Sequence, residues 1–546
     1  MTDSRDRPDD QSEASESLRQ AAALLEHHPV EALRTLQSVT GKDAASATFH
    51  ILQARILIAL ERFLAAAEAA RRAFELDGMS EEVLALRLHA LSHGGDYAAL
   101  ESELGQAMTQ RRHEFRNLLA MAQCARLLNQ SERAVRLYEL LTRHRPDDAS
   151  LWARLGVIHE SRGEMETAES CLREAIARDP PAAQSRYLLS CLRRQSPDDN
   201  HLPTLHQAWS EAEGRDSAHA REKACLAYAL GKEHEDLEQF EPAFSWYAQG
   251  ARIERSRIHH SSDEQDLLYE EISRLSLETN PGSAESHNHT APIFIVGLPR
   301  TGSTLLDTLL TRHSRVASAG ELPTFREALK AQLGNDDARG FLEQTVARDC
   351  SDLDFQQLGE RYLSMARTSA LSGKCFTDKM PGNHLLLGFI ARALPDARLI
   401  CVERDPADSC MSVFKQLFTP GSYPYSYDLA EAARHCLRHR ELTRRWLTQL
   451  SGHVLKVNYE DLVTATEATM RRVLKFCGLD WEAACLDPSA GHAVINTASA
   501  AQVRQPIYRT SVGRWRKYEP QMAPALRILA NEDSQTREAL SPEDSS

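Results

Sequence analysis

Apolar positions are patterned in two different ways along this chain. The first half is rich in Ala, Leu, Glu and Arg, has few strand-like runs and repeats itself. Trp152, Leu155, Gly156, His159, Ala168, Leu172, Ala175 and Pro180 recur, 34 residues earlier, as Leu118, Met121, Ala122, Ala125, Ala134, Tyr138, Leu141 and Pro146. Residue sizes match as well as offsets. Small residues fall where two helices must cross closely, larger ones fill between them, and proline ends the second helix. A further unit fits Leu230, Gly231, His234, Ala243, Tyr247 and Gly250, and a looser one Ala54, Ala66, Ala70 and Ala73. After the polar stretch 279–290 the pattern changes. Short β-rich runs, IFIVG, CFTDK, ARLICVE and HVLKVNYE, alternate with helical segments. Continuous apolar strands separated by helices predict a parallel sheet covered on both faces. Ligands of such sheets gather at the carboxyl ends of the strands.

The period of 34 resembles that of tetratricopeptide repeats, which stack into a solenoid. The resemblance implies a peptide or protein ligand on the concave face. A structural role such as homodimerisation is equally compatible with it.

The first strand of the second half runs into GLPRTGST, and an apolar-periodic helix follows. Gly297 and Gly302 allow a tight turn and close approach to an anion. Backbone N–H groups from Arg300 through Thr301, Gly302, Ser303 and Thr304 would open the helix, where its dipole favours negative charge. Ser303 and Thr304 add hydroxyls, and Arg300 adds a fixed cation. Nucleoside triphosphatases place lysine where this chain has Ser303. The loop therefore lacks the usual grip on a γ-phosphate, and no magnesium-binding aspartate follows a strand in the usual way. A second strand end, ARLICVE, leads into RDPADSCMS. There Asp405 can cap a helix, Pro406 can occupy its first turn, and Arg404 and Ser412 can clamp a second phosphate.

Composition narrows the class. The chain has 546 residues, 42% hydrophobic and 26% charged, with net charge −14. That balance disfavours nonspecific binding to nucleic acid or an anionic membrane. Eleven scattered cysteines without a C-x-x-C pair suggest neither a disulfide framework nor a zinc knuckle, and no metal is expected. The opening residues are polar and acidic, unlike a signal peptide, and no apolar run reaches membrane-spanning length. Cytoplasm is the expected location.

GLPRTGST resembles the phosphosulfate-binding loop of sulfotransferases that use 3′-phosphoadenosine-5′-phosphosulfate (PAPS). Its Pro-Arg form is closer to the tyrosylprotein sulfotransferases than to the cytosolic enzymes. The resemblance runs from Ala291 to about Pro520, and repeats preceding such a domain match a bacterial arrangement. It implies that PAPS is the co-substrate, held by Arg300, Thr301, Gly302, Ser303, Thr304, Arg404, Ser412, Tyr459 and Arg514. Arg404 and Ser412 would take the 3′-phosphate, Tyr459 would sit by the adenosine, and Arg514 would reach a phosphate, with Arg516 and Lys517 as substitutes. Glu321, in SAGELP, matches the family's general base. Arg300, Lys379 and Ser499 match groups around the bridging oxygen. His384 is a rival base, and the aromatic segment Phe418 to Leu429 is a candidate substrate lid.

The expected fold is thus an all-α repeat solenoid followed by an α/β, P-loop-like sulfotransferase domain with a central parallel sheet. The expected boundaries are a disordered tail over 1–17, repeats over 18–278, a linker over 279–290, the second domain over 291–530 and an acidic tail over 531–546. The favoured activity is sulfuryl transfer to a peptide or protein tyrosine. A carbohydrate or small-metabolite acceptor is an alternative, and so is a non-catalytic nucleotide-binding scaffold. A kinase using the loop for ATP is disfavoured by the missing lysine.

Overall fold

A computed structural model describes residues 9–77, 80–109, 114–214, 219–275, 291–333, 353–487 and 506–540. The chain divides into two compact units. One comprises Met1–His144 with Leu322–Ser372, the other Arg145–Glu321 with Gly373–Ser546.

The first unit is helical. Its hairpins include Ala47–Ala59 with Phe63–Asp77 and Phe115–Leu127 with Ser131–His144. Side chains supply several N-caps: Ser46 accepts from Phe49 N and Ser80 from Val83 N, satisfying donors that a helix start leaves orphaned. Helices Thr324–Leu333 and Phe355–Ala366 return to this unit, and Thr324 Oγ1 donates to Gly95 O at 2.7 Å. The expected tails at both chain ends are partly helical, over Asp9–Leu24 and Ala523–Leu540. Ala, Leu, Glu, Gln and Arg, frequent in those stretches, are strong helix formers.

In the second unit, hairpins Ala149–Arg162 with Met165–Arg178 and Ala220–Asp236 with Phe240–Arg257 have the expected close crossings. A Cβ added at Gly231 would lie 2.7 Å from the Tyr247 ring, and one at Gly250 equally close to Tyr228. The small positions of the repeat are therefore required by contact.

The sheet follows: β1 (Pro292–Gly297), β2 (Val316–Ser318), β3 (Cys375–Asp378), β4 (Arg398–Glu403) and β5 (Val454–Asn458). All neighbours are parallel, in the order β2-β3-β1-β4-β5. Four strands match the apolar runs. β2, three residues at the edge, carries too little pattern to be read in advance. Ile293, Ile295, Ile400, Val402 and Val457 share one core with Leu306, Leu309, Leu310, Leu462, Met470 and Val473 from flanking helices. The chain leaves β1 towards β2 on one side and leaves β4 towards β5 on the other. The crevice between the ends of β1 and β4 is thus the topological switch point, where such sheets bind ligands.

A second core joins the repeat helices to this α/β portion. Tyr228, Tyr247 and Ala243 pack with Met411, Phe414, Leu417 and Cys436. Phe244 stacks on Phe414 with centroids 5.6 Å apart, and Tyr228 Oη donates to Phe414 O at 3.1 Å. Among the described residues, no helix is long and apolar enough to cross a membrane. The linker expected at 279–290 lies outside them.

Candidate functional site

The switch-point crevice is built by the loop after β1. Gly297 pairs with Val402 of β4 so closely that a Cβ would stand 2.4 Å from Val402 O. Arg300 and Gly302 both have positive φ, +68° and +97°, and the helix Ser303–Leu310 begins directly after them. These two left-handed residues swing the chain round so that successive N–H groups open the helix, as anion-binding turns do. Thr301 Oγ1 is occupied within the loop, donating to Leu298 O at 2.7 Å. Ser303 and Thr304 are buried.

Arg404 joins this loop from the end of β4. Its Nη1 donates to Arg300 O at 3.1 Å and its Nη2 to Ser511 O at 2.5 Å, while Nε has no hydrogen-bond partner among the described residues. The guanidinium lies 4.8 Å from the centre of the Tyr459 ring. Tyr459 in turn packs on the bare Cα of Gly302 and shares a 2.5 Å hydrogen bond with Ser511 Oγ. Asp405 caps the helix Pro406–Phe414, accepting from Asp408 N at 2.9 Å, and Ser412 is half-buried two turns on. Burial pushes the Arg300 guanidinium below its ordinary value, and the neighbouring Arg404 cation adds to this. Two close cations of this kind favour an anionic ligand between them.

Glu321 and Lys379 meet at the ends of β2 and β3. Lys379 N donates to Gly320 O at 2.8 Å, and the buried Lys379 ammonium forms an ion pair with Glu321 Oε1, whose side chain is 40% exposed. Asp307, from the helix after the loop, lies beside this pair and was not anticipated. It accepts from Thr377 Oγ1 and from Ser318 Oγ (3.1 Å), and burial holds its carboxyl above the ordinary range against the pull of these donors and Lys379. The available signal was an acidic residue inside the apolar helix STLLDTLL. The aromatic segment 418–429 contributes Tyr423, at φ +51°. Burial raises its phenol, and the nearby Glu321 carboxylate raises it further.

The structure therefore gathers Arg300, Thr301, Gly302, Ser303, Thr304, Arg404 and Tyr459 in one crevice, and Glu321 with Lys379 at the adjoining strand ends. Arg514 reaches the same unit but is held in an ion pair with Glu235 of the repeat helix Ala220–Asp236. His384 is committed elsewhere. Its ring stacks on His439 with centroids 3.6 Å apart and meets Thr443 Oγ1 at 3.1 Å. Ser499 lies outside the described residues.

The sulfotransferase family model matches residues 292–483, the segment that holds this loop, the switch point and the second cationic strand end. A tetratricopeptide-repeat model matches residues 149–181. An uncharacterized protein of Aquifex aeolicus is 26% identical over 395 residues, 69% of this chain. The chain spans about half the length of that relative, which is covered to 50%. Protein-tyrosine sulfotransferase 1 of Danio rerio is 25% identical over 280 residues, covering 47% of this chain and 75% of the relative. Among solved structures, a sulfotransferase domain from the curacin biosynthetic pathway is similar over 45% of this chain and 98% of its own, with 17% identity and a TM-score of 0.31.

Proposed function

We propose that this chain transfers the sulfuryl group of PAPS to an acceptor hydroxyl, with a peptide or protein tyrosine as favoured acceptor. The observation that carries the reading is the 3.1 Å bond from Arg404 Nη1 to Arg300 O. It joins the ends of two neighbouring strands, β1 and β4, at one switch point, which supports as ligand a nucleotide with phosphates at both ends of its ribose. The residues fit that ligand. A helix start, whose first N–H groups have no acceptor within the helix, suits the 5′-phosphate, Arg404 with its unpartnered Nε and Ser412 suit the 3′-phosphate, and the Tyr459 ring suits the adenosine.

PAPS, when bound, supplies a sulfur whose bond to a phosphate oxygen breaks as the acceptor oxygen attacks. Such a transfer has a loose transition state, so positioning and charge stabilisation dominate. Glu321 takes the acceptor proton. Lys379 and Arg300 meet the negative charge that develops on the bridging oxygen. Because Lys379 already touches Glu321, base and electrostatic partner stand on adjacent sides of one point. Asp307, fixed by Thr377 and Ser318, lies near enough to this pair for the Lys379 charge to act on it. Tyr423 of the aromatic segment forms part of the acceptor wall.

Two further observations favour a peptide acceptor: the similarity to a protein-tyrosine sulfotransferase and a repeat module of a type that binds peptides. The test is transfer from labelled PAPS to tyrosine peptides, with a sugar and a small phenol beside them. Glu321→Ala is expected to lose about 10²–10⁴-fold in rate. Equal turnover by the variant removes the assigned base, and no transfer to any hydroxyl by the wild type removes the activity.

A further inference from the structure

One buried carboxylate of the repeat helices reaches the candidate nucleotide site. Glu235 Oε1 accepts from Lys415 Nζ at 2.7 Å and from Arg514 Nε and Nη2 at 3.1 and 2.9 Å, while Oε2 accepts from Tyr247 Oη at 3.0 Å. Its side chain is 6% exposed. Both cationic partners belong to elements that frame the site. Lys415 ends the helix Pro406–Phe414 that Arg404 and Asp405 introduce. Arg514 opens the turn Arg514–Tyr518, directly after the stretch in which Ser511 is held by Arg404 and Tyr459 and Gly513 by Asp408.

We propose that Glu235 is a positioning residue for nucleotide binding: it holds Lys415 and Arg514 in place as a cationic rim beside Arg300 and Arg404. The inference rests on the sulfotransferase reading and extends it to a residue outside the segment 292–483. The charge balance supports it. Arg404, Lys415 and Arg514 share two carboxylates, Asp408 and Glu235, so these ion pairs by themselves leave positive charge over for an anionic ligand. Arg300 is near enough for its charge to bear on Lys415. Burial pushes the Lys415 ammonium towards neutrality, the Arg514 and Arg300 charges add to this, and Glu235 opposes them. Without Glu235, Lys415 loses its counter-charge, and Arg514 regains rotamers that ligand binding must then freeze.

The experiment uses the full chain and 3′-phosphoadenosine-5′-phosphate, titrated calorimetrically at fixed salt, with donor KM and kcat measured on a phenol acceptor. Glu235→Gln keeps the shape and removes the charge. Its nucleotide Kd and donor KM should rise about tenfold, the scale of freeing two long side chains, with kcat little changed. Glu235→Asp should recover part of the loss. Arg514→Gln, at a side chain 40% exposed, should raise Kd similarly, and adding Glu235→Gln to it should do less than Glu235→Gln does alone. Wild-type nucleotide affinity in both single variants, or full additivity in the double variant, overturns the proposal. If Glu235→Gln does not fold, Arg514→Gln decides by itself, and wild-type affinity there overturns it. A folded wild-type chain that binds no nucleotide overturns the sulfotransferase reading itself, and this inference with it.

Discussion

The Tyr459 ring lies against the bare Cα of Gly302, and a Cβ at that position would stand 2.4 Å from Cδ2 of the ring. Gly302 also has φ +97°, a conformation that L side chains avoid. One residue thus shapes the turn and admits the aromatic ring. Gly302→Ala should destabilise the second unit by about 1–3 kcal/mol through backbone strain. It should also displace Tyr459 and weaken nucleotide binding. Denaturation and calorimetric titration check both effects, and unchanged affinity would detach the ring contact from the ligand site.

Lys379 is 2% exposed and its charge is met by Glu321. Lys379→Met keeps the length of the chain and removes the charge. We expect kcat for sulfuryl transfer to fall about 10²–10³-fold, as when one transition-state donor is lost, with donor KM nearly constant. A rise in KM with kcat intact would instead place Lys379 in ground-state binding.

Asp408 holds the C-terminal segment to the site. Its two oxygens accept from Gly513 N at 2.6 Å and Trp515 N at 3.0 Å. Asp408→Ala leaves those donors without their acceptor, at a cost of about 1–3 kcal/mol. Amide exchange across residues 506–518 should accelerate well beyond that of β1 and β4. Equal protection in variant and wild type would show that the segment is held by other contacts.

His384 and His439 are buried and His435 beside them is half-buried: His384 stacks on His439, and Tyr425 stacks on His435 at 3.6 Å. Burial pushes all three rings below their ordinary value of 6.5, with neighbouring histidines adding to this for His384 and His435, and His439 falls to about 3. Each ring stays neutral in the folded chain but takes a proton on unfolding below pH 6.5. Stability is therefore full above pH 6.5 and declines as pH falls, by up to about 1.4 kcal/mol per pH unit for each ring. Urea midpoints from pH 7.5 to 5 should drop accordingly, and His439→Gln should flatten the slope by one proton. A slope that the substitution leaves unchanged would mean His439 titrates alike in both states.

The elements that could be read in advance carry a local pattern. β1, β3, β4 and β5 are apolar runs bounded by turns, and the repeat hairpins declare themselves because Gly156, Gly231 and Gly250 must admit a neighbour's side chain. The loop Gly297–Thr304 was legible for the same reason: its function resides in consecutive residues. What escaped depends on distant partners. Asp307 takes its meaning from Thr377, 70 residues away, and Glu235 from Lys415 and Arg514, 180 and 279 residues on. No periodicity links such positions, because burial of a charge is decided only when the packed layers meet. Lys415 was passed over likewise, one residue beyond the helix that Asp405 announces.

The core shared by Tyr228, Tyr247, Met411 and Phe414 has a practical corollary for anyone dividing this chain. A fragment beginning at Ala291, the obvious cut from motif and family match, would bare an aromatic wall and strip Lys415 and Arg514 of their counter-ion. Such a piece is expected to aggregate on expression, because the helices Ala220–Asp236 and Phe240–Arg257 that cover this wall lie ahead of the cut.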